Sequence, residues 1–93
     1  MKNKTQANVV EAYPLSNAMI EDVFVFIDIY VIRLGVPFED LTEFFAFGTE
    51  SFVQFILAVE THFQWFDYTQ AVFVIEILDI YIQKAHEEYA QEI

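Results

Sequence analysis

The amino-acid sequence predicts an all-α fold, a compact bundle of four helices with a short polar N-terminal arm. Capping residues flank the apolar segments, the connections between those segments are short, and no Asn-Gly or Asp-Gly hairpin turn occurs. The 93 residues fit a single domain, which we place at 16–93, and we expect residues 1–15 to form a flexible arm. The predicted helices span about 18–34, 38–47, 50–66 and 68–90.

Each predicted helix has a recognisable beginning or end. Ser16 can cap the first helix, and Gly35 followed by Pro37 ends it. Pro37 also opens the short second helix, for which Gly48 is the stop signal. Thr49 can cap the third helix. The spacing from Asp67 to Gln70 is that of a capping box at the start of the fourth helix.

The competing interpretation is β-structure, because the segments VFVFIDIYVIRL and AVFVIEILDIYI are rich in β-branched and aromatic residues. Neither segment alternates cleanly between apolar and polar residues, and each runs about a dozen residues, which is long for a buried strand. Helix caps, not hairpin turns, flank both segments. We therefore favour helices.

The apolar surface predicted for these helices exceeds what four short helices can bury among themselves. The first helix is apolar nearly all round, which is typical of a buried helix, and the fourth is apolar over more than half of its circumference. We expect part of this surface to form a homodimer or partner interface, unless aromatic rings of the short helix and the N-terminal arm cover it within one chain. The apolar interface candidates are Phe26, Tyr30, Trp65, Phe73, Ile77 and Tyr81.

The sequence offers little for catalysis, and we expect no enzyme, no cofactor and no metal site. Cysteine is absent, and two glycines cannot build a phosphate-binding loop. His62 and His86 lack the Glu-x-x-His spacing of a metal pair in a helical bundle, and we interpret both as surface residues. Asp28 is the exception to its apolar surroundings. It either reaches solvent beside Glu21 or is a buried acid with a partner such as Arg33, Lys84 or a histidine.

Charge is the strongest functional signal in the sequence. Fifteen acidic residues against four Lys and Arg give a formal net charge of −11, which argues against direct binding of nucleic acid. The longest apolar run is interrupted by Asp28 and Arg33 and is too short to span a membrane, and no signal peptide is evident, so we expect a cytoplasmic protein. The residues expected to form an acidic partner-binding surface are Glu39, Asp40, Glu43, Glu50, Glu76, Asp79 and Glu87.

An acidic surface of this kind has three explanations: solubility, steering towards a basic protein, or mimicry of nucleic-acid phosphates. In size and charge the chain resembles phage or plasmid inhibitors that mimic DNA and block host defence enzymes, and it also resembles immunity proteins of basic nuclease toxins. That resemblance implies an acidic inhibitor that occludes the basic surface of a nucleic-acid-binding protein. The alternative is a structural, assembly or immunity-type helical dimer whose acidity serves solubility or steering.

Overall fold

Helices and their connections account for the whole of the described chain. The computed structural model describes the backbone of residues 14–92 and the side-chain surroundings of residues 14–88, and it contains no strand in that part. The helices are α1 (Asn17–Leu34), α2 (Leu41–Phe44), α3 (Glu50–His62) and α4 (Ala71–Glu92), with short 3-10 turns at Phe38–Asp40 and Tyr68–Gln70. The all-α prediction is confirmed. Most of the predicted arm, residues 1–13, lies outside the described residues.

The ends of α1 are determined by local capping, as the sequence predicts. The Ser16 hydroxyl accepts a hydrogen bond from the Met19 backbone N–H at 3.2 Å. At the other end Gly35 adopts a left-handed conformation with φ of 70°. The backbone N–H groups of Gly35 and Val36 donate to the carbonyls of Ile32 and Val31, which is the Schellman arrangement. The φ of Gly35 is in the region that favours glycine, so this residue type suits the end of α1.

The second helix is shorter than predicted, and side chains at the start of α3 bind carbonyl groups at its end and just beyond it. It ends at Phe44, and not at residue 47. The Ser51 hydroxyl donates to the Phe44 carbonyl, and the Thr49 hydroxyl donates to the Ala46 carbonyl at 2.7 Å. The same Thr49 hydroxyl accepts from the Phe52 N–H and so caps α3, which confirms its predicted role.

The third helix also ends early, at His62, where the prediction extended it to residue 66. Phe63 leaves the helical conformation, with φ of −103° and ψ of 110°. Its buried ring packs on Phe26 of α1 at 5.3 Å between centroids and on Trp65 at 5.0 Å. This tertiary packing accompanies the end of the helix, and no local sequence pattern encodes it.

The predicted capping box before the fourth helix is present. The Thr69 N–H donates to Asp67 Oδ1 at 2.8 Å, and the Asp67 N–H donates to Gln70 Oε1 at 3.1 Å. The capped turn at Tyr68–Gln70 is 3-10, and the α-helix proper begins at Ala71. Gln70 is buried, and the hydrogen bond from Asp67 satisfies its side-chain oxygen.

The core forms where α1, α3 and α4 meet. Phe55 of α3 is fully buried at its centre, and its ring packs against Phe26, Tyr30 and Phe45 at centroid distances of 5.1 to 6.3 Å. Large rings therefore fill the space between α1 and α3, while α1 packs directly on α4. The buried apolar residues are Val23, Ile27, Val31, Leu41, Phe45, Phe52, Phe55, Val59, Phe63, Val74, Ile77, Leu78, Tyr81 and Ala85.

Within one chain α1 is buried along one side only. The core buries one line of this helix, Val23, Ile27 and Val31. The opposite side, Val25, Ile29 and Ile32, is exposed, because no other described element covers it. None of the helices among the described residues has the length and apolar character needed to cross a membrane.

Candidate functional site

Every carboxylate between residues 14 and 88 is exposed to solvent. Of the fifteen acidic residues only Glu11 and Glu92 lie outside that range, and within it the basic side chains, histidines aside, are Arg33 and Lys84. The fold therefore carries a strong negative field that so few cations cannot neutralise. Asp28 belongs to this exposed set, so of the two alternatives for this residue the structure agrees with contact with solvent and not with burial.

Asp28 has a specific partner on α4. The Tyr81 hydroxyl donates to Asp28 Oδ1 at 2.8 Å. Burial, followed by the hydrogen bond and charge of Asp28, raises the pKa of Tyr81 well above its ordinary value of 10.0. Asp28, Tyr81, Lys84 and Glu88 line a small open cavity of about 310 Å³. Lys84 was a candidate partner of Asp28, whereas Tyr81 was not, because no local pattern relates residues 53 positions apart.

The first group of acidic-surface residues lies at helix beginnings. Glu39 and Asp40 lie in the 3-10 turn before α2, Glu43 lies in the first turn of α2, and Glu50 is the first residue of α3. Negative charge near a helix N-terminus interacts favourably with the helix dipole, which gives Glu43 and Glu50 a structural reason to be acidic.

The second group follows the outer face of α4, where no such reason applies. Glu76, Asp79 and Glu87 are exposed and lie within an arc of about 80° at 100° per residue. All three lie beyond the first turn of a helix that runs from Ala71 to Glu92. Glu76 and Asp79 are three residues apart, a spacing at which like charges destabilise a helix. Glu76 and Asp79 thus lie side by side at a cost to the stability of the helix.

One hydrogen bond joins the two groups. His86 Nε2 lies 2.9 Å from the Phe38 carbonyl oxygen, and a protonated Nε2 donates to it. Because Asp79 is seven residues before His86, both lie on nearly the same side of α4. The segment that carries Glu39 and Asp40 is therefore held beside the acidic face of α4. We call these seven residues, Glu39, Asp40, Glu43, Glu50, Glu76, Asp79 and Glu87, the acidic surface.

The apolar interface candidates divide into two groups. Phe26, Tyr30, Trp65 and Phe73 are half-buried, so part of each side chain is accessible. Ile77 and Tyr81 are each only 5 % exposed because they lie in the core beneath α1, and another chain cannot reach them. Among the exposed apolar side chains that are not in the candidate set, Val25, Ile29 and Ile32 lie together on the outer side of α1. Their spacing is visible in the sequence, but α1 is apolar on every side and gives no local sign of which side faces outwards.

The two histidines lie in different surroundings. His62 is exposed and contacts the ring of Phe26 at 4.8 Å between centroids, and the half-buried His86 bonds to the Phe38 carbonyl. Within the described part of the chain no three His, Asp or Glu side chains are grouped so that they could hold a metal ion. Comparisons of the chain with models of protein families, with curated proteins and with solved structures each gave no match.

Proposed function

We propose that this protein is a binding protein and not an enzyme, and that its acidic surface docks on the basic surface of a nucleic-acid-binding protein and excludes nucleic acid from it. The observation that carries this proposal is the acidic face of α4, where Glu76, Asp79 and Glu87 are exposed. The like charges of Glu76 and Asp79 oppose helix stability and have no role at the helix dipole, and a basic partner that they attract explains their presence.

Charge density favours the combination of both groups of the acidic surface over α4 alone. Glu76 and Glu87 are separated by a rise of about 16 Å along the helix axis. One strand of duplex DNA carries about five phosphates over that distance. Three carboxylates on α4 fall short of this number, so mimicry of a phosphate backbone requires the group at Glu39, Asp40, Glu43 and Glu50 as well.

A second candidate function has its own supporting observation. Glu21, Asp22, Glu60 and Asp67 are exposed on other parts of the molecule. A chain with so much exposed apolar surface gains solubility from such charges wherever they lie. In this alternative the protein is a structural or assembly subunit, and the position of its carboxylates has no importance.

A comparison of charge-matched variants separates the two candidates. Glu76→Gln/Glu87→Gln and Glu21→Gln/Glu60→Gln each remove two negative charges from exposed glutamates. Wild type and both variants are immobilised, incubated with cell lysate at low salt, and washed with duplex DNA or with high salt. We expect wild type and the Glu21/Glu60 variant to retain a protein that duplex DNA and salt displace, and the Glu76/Glu87 variant to lose it.

The solubility alternative makes the opposite prediction for the same measurement. If position does not matter, the two variants behave alike, because their net charges are equal. Equal retention by both variants, or a captured protein that duplex DNA does not displace, would contradict the proposed occlusion of a nucleic-acid-binding surface.

A further inference from the structure

The outer face of α1 is an apolar surface that one copy of the chain leaves uncovered. Val25, Ile29 and Ile32 are 51 %, 45 % and 67 % exposed, respectively. Their spacing of four and then three residues places them in one line along the helix, opposite the buried line of the same helix. A contiguous row of aliphatic side chains of this kind is typical of an interaction site.

One edge of this face carries two opposite charges. Asp22 and Arg33 line the same groove, of about 460 Å³, together with Val25 and Ile29. They are eleven residues apart, so a rise of about 16 Å separates them and they cannot pair within one helix. Arg33 is thus a positive charge at the edge of an apolar face in a strongly acidic protein. The oppositely charged Asp22 lies at the far end of the same edge.

We propose that a second copy of this chain covers the outer face of α1, with the two α1 helices antiparallel about a two-fold axis. Such an axis reverses the direction of the helix and keeps each edge on its own side. Asp22 of each copy then lies opposite Arg33 of the other copy, and the two aliphatic rows face each other. The interface is therefore complementary to itself in both charge and hydrophobicity.

The register supports this arrangement. The midpoint between Asp22 and Arg33 falls between residues 27 and 28, and the midpoint between Val25 and Ile32 falls between residues 28 and 29. The two midpoints differ by one residue, or about 1.5 Å along the helix. A single two-fold axis can therefore align the charges and the aliphatic rows together.

The other edge of the outer face of α1 carries Asp28 and Glu21, and these charges cause little repulsion between the two copies. Asp28 lies near the proposed axis, where the two copies bring like charges together, but Tyr81 of α4 holds its carboxylate at 2.8 Å. This hydrogen bond directs Asp28 towards α4 of its own chain and away from the second copy. Glu21 lies towards the end of the helix, so the two copies of Glu21 are far apart in an antiparallel pair.

The dimer leaves the acidic surface accessible. The outer face of α1 and the acidic face of α4 each lie opposite the buried line of their own helix, so both point away from the core. The acidic face of α4 therefore lies on a different helix from the one that the second copy covers.

Molar mass measured by light scattering and sedimentation tests the proposal. We expect wild type at about 100 µM to have twice the 10.9 kDa mass of one chain, because a micromolar dissociation constant gives mostly dimer at this concentration. Ile32→Glu places a charge in the interface and should weaken the dimer by more than about tenfold. The matched control Ile80→Glu changes an isoleucine that is 49 % exposed on α4 and should leave the dimer unchanged.

Charge reversal tests the antiparallel pairing itself. Asp22→Arg and Arg33→Asp each create like charges across the interface twice and should each weaken the dimer by about tenfold or more. The double variant Asp22→Arg/Arg33→Asp restores opposite charges and should recover the wild-type dissociation constant. Both residues are exposed, and circular dichroism of each variant checks that it is folded.

Three results would overturn the proposal. The first is a monomeric wild type at about 100 µM, which would mean that a different protein covers the outer face of α1. The second is a dimer whose dissociation constant does not change in Ile32→Glu. The third is a double charge-reversal variant that dimerises no more tightly than the two single variants.

Discussion

The hydrogen bond between Tyr81 and Asp28 links the two helices that form the centre of the fold, and we expect its removal to be measurable. Tyr81→Phe deletes the hydroxyl that donates to Asp28 at 2.8 Å and leaves the ring in place. Tyr81 is 5 % exposed, whereas Asp28 is exposed, so water can replace the lost bond on the carboxylate alone. A hydrogen bond to a charged group contributes about 1.5–3 kcal/mol, and solvent access at Asp28 reduces the expected loss to about 1 kcal/mol.

Removal of the acceptor has a different consequence. Asp28→Ala leaves the Tyr81 hydroxyl without its partner at a buried position, which costs about 1–3 kcal/mol. Alanine is the better helix former, and this offsets about 0.5 kcal/mol of the loss. The double variant removes both groups, so a double-mutant cycle isolates the coupling between them, which we expect to be about 1 kcal/mol.

Urea unfolding followed by circular dichroism measures this cycle. With a denaturant slope of about 1 kcal/mol per M for a small domain, a loss of 1 kcal/mol shifts the midpoint by about 1 M. The chain contains a matched control, because the Tyr68 hydroxyl donates to Glu60 at 3.2 Å in an exposed position. The cycle of Tyr68→Phe and Glu60→Ala should give a smaller coupling than the Tyr81–Asp28 cycle, because water competes for both groups of an exposed pair. A Tyr81–Asp28 coupling no larger than this control would refute the structural role that we assign to the bond.

Two further predictions concern the core and alkaline pH. Phe55→Ala should lower the free energy of unfolding by about 4 kcal/mol, of which about 2 come from lost burial and about 2 from a cavity of roughly 100 Å³. The control Phe47→Ala changes a side chain that is 84 % exposed and should cost less than about 0.5 kcal/mol. Similar urea midpoints for these two variants would contradict the packing around Phe55. Because the folded state raises the pKa of Tyr81, the unfolded chain releases this proton at a lower pH than the folded chain does. The contribution of Tyr81 to the free energy of unfolding is therefore fully present below the ordinary pKa of 10.0 and falls as the pH rises above it. Tyr81→Phe should therefore lose less stability than wild type between about pH 9 and pH 11, and an equal loss would contradict this assignment.

Local sequence patterns determine the elements whose causes are themselves local. The predicted helix caps all have their expected roles, because each acts on backbone groups within a few residues. They are Ser16, Gly35, Thr49 and the Asp67–Gln70 pair. The errors lie at the ends of α2 and α3. The contacts at those ends involve hydroxyls and rings of other elements, and local spacing does not encode such contacts.

The candidate site shows the same division. All seven residues of the acidic surface are exposed, as expected from their charge, because burial of an unpaired carboxylate is costly. The apolar candidates are less well predicted, because Ile77 and Tyr81 belong to the core. Composition predicts how much of an apolar helix must be covered, but it does not predict what covers it.

The sequence by itself determined that the described part of this protein is helical, where its helices begin, and that the seven residues of the acidic surface face solvent. Capping, helix breakers and the cost of burying charge are local effects, and each can be evaluated from a few neighbouring residues. Only the tertiary structure decided which side of α1 faces the core and that Tyr81 binds Asp28. A helix that is apolar all round has many nearly equivalent ways to pack, and the shapes of α3 and α4 select one of them.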